Sequence, residues 1–137
     1  MKAILLLLAG CVLPLCLAET LPSAPATTPR TLDWAQHDNG TEIRWIEANH
    51  YCQQQGPGWR LPSTAELMQL FDPTESTRCG WNYCHVAPIV KLSGNWFWSH
   101  QSRTAGWALG VNLDLGRIDE SRTETERFGR ALCVRKR

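Results

Sequence analysis

The chain has 137 residues, and its 14 Lys and Arg against 13 Asp and Glu leave a formal charge of +1. A balance this close gives no electrostatic ground for nucleic acid or an acidic membrane surface as a partner. Six cysteines are many for a chain of this length, and their placement sets the first constraint.

Residues 1–18 pair one cation, Lys2, with an apolar run from Ala3 to Leu17 and a small residue, Ala18, the layout of a secretory signal peptide. A spanning helix needs about 20 apolar residues. This run is shorter, is interrupted by Pro14 and meets Glu19 at once, so the mature chain is expected to begin at Glu19 without a transmembrane segment. Leu8, Ala9, Gly10 and Cys11 offer a rival lipoprotein site with Cys11 acylated, but the apolar run beyond Cys11 favours cleavage after Ala18. The destination is the periplasm or the exterior. Residues 19–30 carry Pro22, Pro25 and Pro29 among Ala, Ser and Thr and read as an extended linker. Residues 31–137 then form one domain.

Leu32 and Trp34 predict a short strand, closed by a turn at Asp38, Asn39 and Gly40. Thr41 is the expected N-cap of a first helix over Arg44 to Gln55, with Trp45, Ala48, Tyr51 and Cys52 as its apolar stripe. Gly56, Pro57 and Gly58 stop it. A second helix opens at Pro62 and Ser63, with Ser63 and Glu66 as a capping box and Leu67, Leu70 and Phe71 as the buried face. Trp96, Phe97 and Trp98 form an aromatic strand central to the core. From Trp107 to Leu115 the odd positions are apolar and alternate with Ala108, Gly110, Asn112 and Asp114, predicting a strand with two unlike faces. Asp119 to Arg127 is polar and predicts a loop, and Ala131 to Val134 the last strand. The order of elements indicates an α+β fold, two helices packed on a twisted antiparallel sheet.

Cys11 and Cys16 fall in the signal, so the mature chain keeps Cys52, Cys79, Cys84 and Cys133. An even number in an oxidising compartment argues for two disulfides, and four cysteines allow three pairings. Cys79 with Cys84 is the local choice, closing a small loop around Gly80, Trp81, Asn82 and Tyr83, and it leaves Cys52 for Cys133.

Five segments, Trp45–Cys52 (W-I-E-A-N-H-Y-C), Trp59–Leu67 (W-R-L-P-S-T-A-E-L), Trp96–Ser99 (W-F-W-S), Gly106–Gly116 and Leu132–Arg135 (L-C-V-R), together resemble the Lcl C-terminal domain family. That bacterial group is similar to C-type lectins. The resemblance implies a C-type-lectin-like fold with the first helix bridged to the last strand, and a recognition role, in some members toward acidic glycans. The calcium-holding E-P-N or Q-P-D and W-N-D segments of sugar-binding lectins do not occur here, so a calcium-independent contact is expected.

No nucleophile motif, H-E-x-x-H pair or phosphate-cradling loop occurs, so the chain is read as a non-catalytic binder without cofactor or metal. Cys79, Cys84 and His85 with His50 or His100 would be a zinc set only in reduced form, which export disfavours. The expected ligand contacts are Trp81, Asn82 and Tyr83 in the bridged loop, with His100 and Arg103 after the W-F-W-S strand. Alternatively, Trp81 folds back over the core and His100 to Arg103 is an ordinary turn. Arg60 is read as a brace on a ring or a carboxylate. The basic C-terminus, Arg130 with Arg135, Lys136 and Arg137, is either a solvated tail or an attraction for an anionic glycan or lipid headgroup. The expected partner is therefore a glycan or anionic polymer, or else an envelope protein bound by an inhibitor or accessory module.

Overall fold

The computed structural model describes residues 32–137; the signal segment with Cys11, and the linker 19–30, lie outside the described residues. Strand β1 (Leu32–Trp34) is followed by helices α1 (Trp45–Gln54) and α2 (Thr64–Leu70). Strands β2 (Thr77–Cys79), β3 (Asn82–Cys84), β4 (Trp96–Trp98), β5 (Trp107–Asn112), β6 (Arg117–Arg122) and β7 (Val134–Lys136) complete the chain. The fold is α+β as expected, but the strands form three small antiparallel sheets, β1–β7, β2–β3 and β4–β5–β6, where one was expected.

The sheet β4–β5–β6 divides the interior. On one side Phe97, Val111 and Leu113 pack with Leu67 of α2 and with Cys79, Cys84 and Leu132. On the other, Trp96, Trp98 and Ala108 pack with Ala48 and Cys52 of α1 and with Leu61 and Cys133. Each half therefore holds one disulfide, Cys52–Cys133 or Cys79–Cys84. The aromatic strand is as central as its composition suggests, with Trp96 2% and Phe97 and Trp98 0% exposed.

Two-sided cover overturns the expected alternation in β5, since Ala108, Leu109, Gly110 and Val111 are all buried. Gly110 has no side chain because Trp96 takes the space: a methyl there would stand 2.1 Å from Trp96 Cη2. Leu115, expected on the buried face, is 58% exposed. It lies in a turn that Asn112 closes by accepting the Asp114 and Leu115 N–H groups on Oδ1.

Four local expectations need correction. The polar stretch read as a loop from Asp119 begins inside β6, whose six residues all pair with β5. As an edge strand it needs only one covered face, which small polar side chains supply, with Ser121 buried and Thr123 buried just beyond it. Helix α1 is capped by Arg44, not Thr41, because Ile43 is still held extended by its N–H bond to the Gly129 carbonyl, 2.9 Å. The last strand is Val134–Lys136 and not Ala131–Val134. Pro62 lies before the Ser63 cap, outside the first turn of α2, where its carbonyl accepts the His100 N–H at 2.9 Å.

The capping box itself forms as expected: Glu66 N–H donates to Ser63 Oγ at 3.0 Å and Ser63 N–H to Glu66 Oε1 at 2.8 Å. Arg60 grips the same carboxylate with both terminal nitrogens, at 2.8 and 3.0 Å. That guanidinium holds the Glu66 carboxyl down to about 2. The turn at Asp38 also forms, and its buried carboxylate accepts the Gly40 N–H at 2.7 Å and both the N–H and hydroxyl of Ser93 at 2.6 Å. A turn that looks local thus fixes a distant segment.

Candidate functional site

Strands β2 and β3 make a hairpin with Gly80 and Trp81 as its two-residue turn, since Cys79 lies opposite Asn82. Gly80 adopts φ +65°, as a turn whose twist suits the hairpin requires at its first central position. Behind it the Ser93 carbonyl would lie 2.2 Å from any added methyl, so the tip is seated on the segment that Asp38 fixes. The Cys79–Cys84 bridge crosses the hairpin diagonally, from beside the turn to its base, and both sulfurs are in the core. Thr77 Oγ1 donates to the Val86 carbonyl at 2.7 Å, and the His85 N–H to the Leu113 carbonyl at 2.9 Å.

On this rigid base Trp81 is 94% and Tyr83 55% exposed, so Trp81 does not fold back over the core. Asn82 is exposed beside them. Arg78, opposite Tyr83 in the ladder, places its guanidinium 5.8 Å from the Tyr83 ring and donates through Nε to the Gly80 carbonyl at 3.3 Å. Local sequence does not single out Arg78, because its place beside Tyr83 depends on the hairpin register.

His100 and Arg103 are exposed but lie elsewhere. Their loop hangs on Leu109, which donates to the Gln101 carbonyl at 2.8 Å, whereas the hairpin hangs on Leu113. Four residues of extended chain, about 13 Å, separate those anchor points. The structure thus brings Trp81, Asn82 and Tyr83 together and leaves His100 and Arg103 outside the group. Gln101 is structural: its Oε1 accepts the Thr64 N–H at 2.7 Å and the Thr64 hydroxyl at 2.8 Å, fastening the start of α2. Arg103 faces Glu120 at 3.8 Å.

A second concave region takes in Arg135 and Arg137 of the basic C-terminus, with walls that were not expected. Between the β1–β7 ribbon and the end of α1 lies a groove of about 560 Å³, lined by Asp33, Trp34, Tyr51, Trp59, Arg135 and Arg137 among others. Arg135 stacks on Trp59 at 4.9 Å and donates through Nε to Asp33 Oδ2 at 3.2 Å, and Arg137 Nε donates to Asp33 Oδ1. Arg137, seconded by Arg135, holds the Asp33 carboxyl below the usual carboxylate range. These arginines are neither a loose tail nor a free patch; folding returns them to the first strand. Arg130, counted in the same basic stretch, points instead toward Glu42 at 3.7 Å.

Cys79 and Cys84, being joined, offer no thiolate, and among the described residues no three His, Cys, Asp or Glu gather as metal ligands. Nor, among those residues, is any helix long and apolar enough to cross a membrane. Comparison with protein-family models, with curated proteins and with solved structures finds no match.

Proposed function

We propose that the chain is an exported, non-catalytic recognition domain of the Lcl C-terminal, C-type-lectin-like kind, which binds a saccharide through the Trp81–Tyr83 hairpin without calcium. The observation that carries this reading is the 94% exposure of Trp81 on a turn clamped by a disulfide. An indole held in water gains by covering its face, and the C–H face of a pyranose ring does so while its hydroxyls stay solvated. Because the bridge and the Ser93 seat already fix the turn, little ordering remains to oppose binding. The signal-like residues 1–18 and the two disulfides support export to an oxidising compartment, periplasmic or external. Independence from calcium rests on the missing lectin tripeptides.

A second reading, a protein-binding inhibitor or accessory module, is favoured by Arg78 beside Tyr83 and Trp81, since Trp, Tyr and Arg dominate protein hot spots. A glycan array read with chelator present, for the wild type and for Trp81→Ala with Tyr83→Ala, separates the two. The expected result is glycan binding that survives chelation and drops by about tenfold or more in the variant. Undiminished binding by the variant removes the hairpin from the site, and loss with chelator removes calcium independence. An empty array together with one stoichiometric envelope protein on purification establishes the second reading.

A further inference from the structure

We propose that the groove beside β1 accepts an extended acidic peptide as an added strand, its carboxylates held by Arg135 and Arg137. The surface is distinct from the hairpin, and three independent features meet there.

The first is the strand edge. Val134 uses its N–H and its carbonyl on Arg60, at 2.9 and 3.0 Å, so neither is available to Trp34 opposite it. The Trp34 N–H and carbonyl therefore point away from β7, and among the described residues they meet no partner. One step further along this edge the chain supplies its own partner: Lys91 donates to the Gln36 carbonyl at 2.7 Å and accepts from the Asp38 N–H at 3.3 Å. That cover ends before Trp34. An open edge of this kind is a template for another strand, whose main chain satisfies donor and acceptor together.

The second feature is charge. Asp33 engages only the Nε of each arginine, so the terminal nitrogens of Arg135 and Arg137 meet no partner among the described residues. Two cations share one carboxylate, and the surplus faces the groove. Guanidinium forks match carboxylates in both geometry and sign. On an added strand, every second side chain lies on the face that Asp33 occupies, so glutamates at alternate positions reach these forks.

The third is shape. The groove has the size of an ordinary ligand site, and Tyr51 and Trp59, on the Asp33 face, give it aromatic cover for the methylene stems of the peptide's glutamates. A saccharide uses the arginines and rings equally well, but it leaves the Trp34 main-chain pair unsatisfied. The strand edge decides for a peptide.

The test uses the oxidised protein and a short peptide alternating valine with glutamate, with its glutamine counterpart as control. Binding is followed by tryptophan fluorescence, and Trp34 by amide hydrogen exchange. The glutamate peptide is expected to bind, to slow exchange at the Trp34 amide and to outbind the glutamine peptide by about tenfold. Arg137→Gln should weaken it to a similar degree. Asp33→Asn, which releases both guanidinium groups, should tighten it. Equal binding of the two peptides overturns the proposal, as does binding that leaves the Trp34 amide unprotected. So does a Trp34 amide already protected in the free protein, because the chain then covers its own edge. Binding of polygalacturonate in place of the peptide makes the groove a polyanion site and overturns the strand.

Discussion

The two disulfides close loops of very different length, and the two regions they serve differ accordingly. Cys52–Cys133 spans 81 residues and ties the last turn of α1 to the segment entering β7. Cys79–Cys84 spans 5 and shapes one hairpin. Both bridges are buried, but the first fixes which elements meet, whereas the second fixes how one turn is shown to solvent. Groove and hairpin each depend on one of them. Cross-link length thus separates a stabilising role from a presenting role within one domain.

Removing the long bridge tests the contrast most severely. Cys52→Ser with Cys133→Ser should cost about 4 kcal/mol, because the closed loop is long and the unfolded chain regains its freedom. Urea denaturation measures this loss, and a loss no larger than that for the short bridge would abolish the distinction. Cys79→Ser with Cys84→Ser should cost about 2 kcal/mol by the same reasoning, while releasing the hairpin so that the saccharide binding proposed for it falls as well. A third brace, Arg60–Glu66, is non-covalent and lies beside the long bridge, so it shows what an ion pair adds there. Glu66→Gln should cost about 1 kcal/mol at neutral pH, an amount suited to a partly buried pair whose guanidinium still reaches solvent. Its folded carboxyl titrates at about 2, below the ordinary 4.5, so this stability is complete above pH 4.5 and is lost as the pH falls toward 2. Denaturation curves of wild type and variant should therefore converge in that window. Smallest of all is the effect of Trp81→Ala with Tyr83→Ala on stability, expected within about 0.5 kcal/mol because both rings already stand in water.

Features set by short stretches of chain are legible in the amino-acid sequence alone. Ser63 and Glu66 announce the start of α2 by themselves, and so does the pairing of two cysteines with four residues between them. Features set by closure are not. Strand β6 is polar because it is an edge with one covered face, and nothing in Arg117–Arg122 alone separates that from a loop. The alternation expected in β5 fails because α1 and α2 cover opposite faces of the same sheet, which no single segment declares. Trp81, Asn82 and Tyr83 follow from the bridged loop, but the solvent on all sides of Trp81 emerges only once Gly80 rests on Ser93. His100 and Arg103 share their polar chemistry with that group, and β5 keeps the two loops apart. The groove is hidden from sequence for the strongest reason: Asp33 and Arg135 are neighbours only because the domain's first and last strands pair.

That pairing has a mechanical side. Leu32 lies opposite Lys136, so a tether pulling on both ends of the domain loads β1 and β7 in the geometry of a zip, with hydrogen bonds breaking in turn rather than together. On the C-terminal side the tear stops at Cys133, beside Ala35; on the N-terminal side the tension runs on to Cys52, where the sulfur link carries it covalently, and everything between residues 52 and 133 is shielded from the force. A hairpin inside that interval keeps its shape while the ends of the domain are pulled apart.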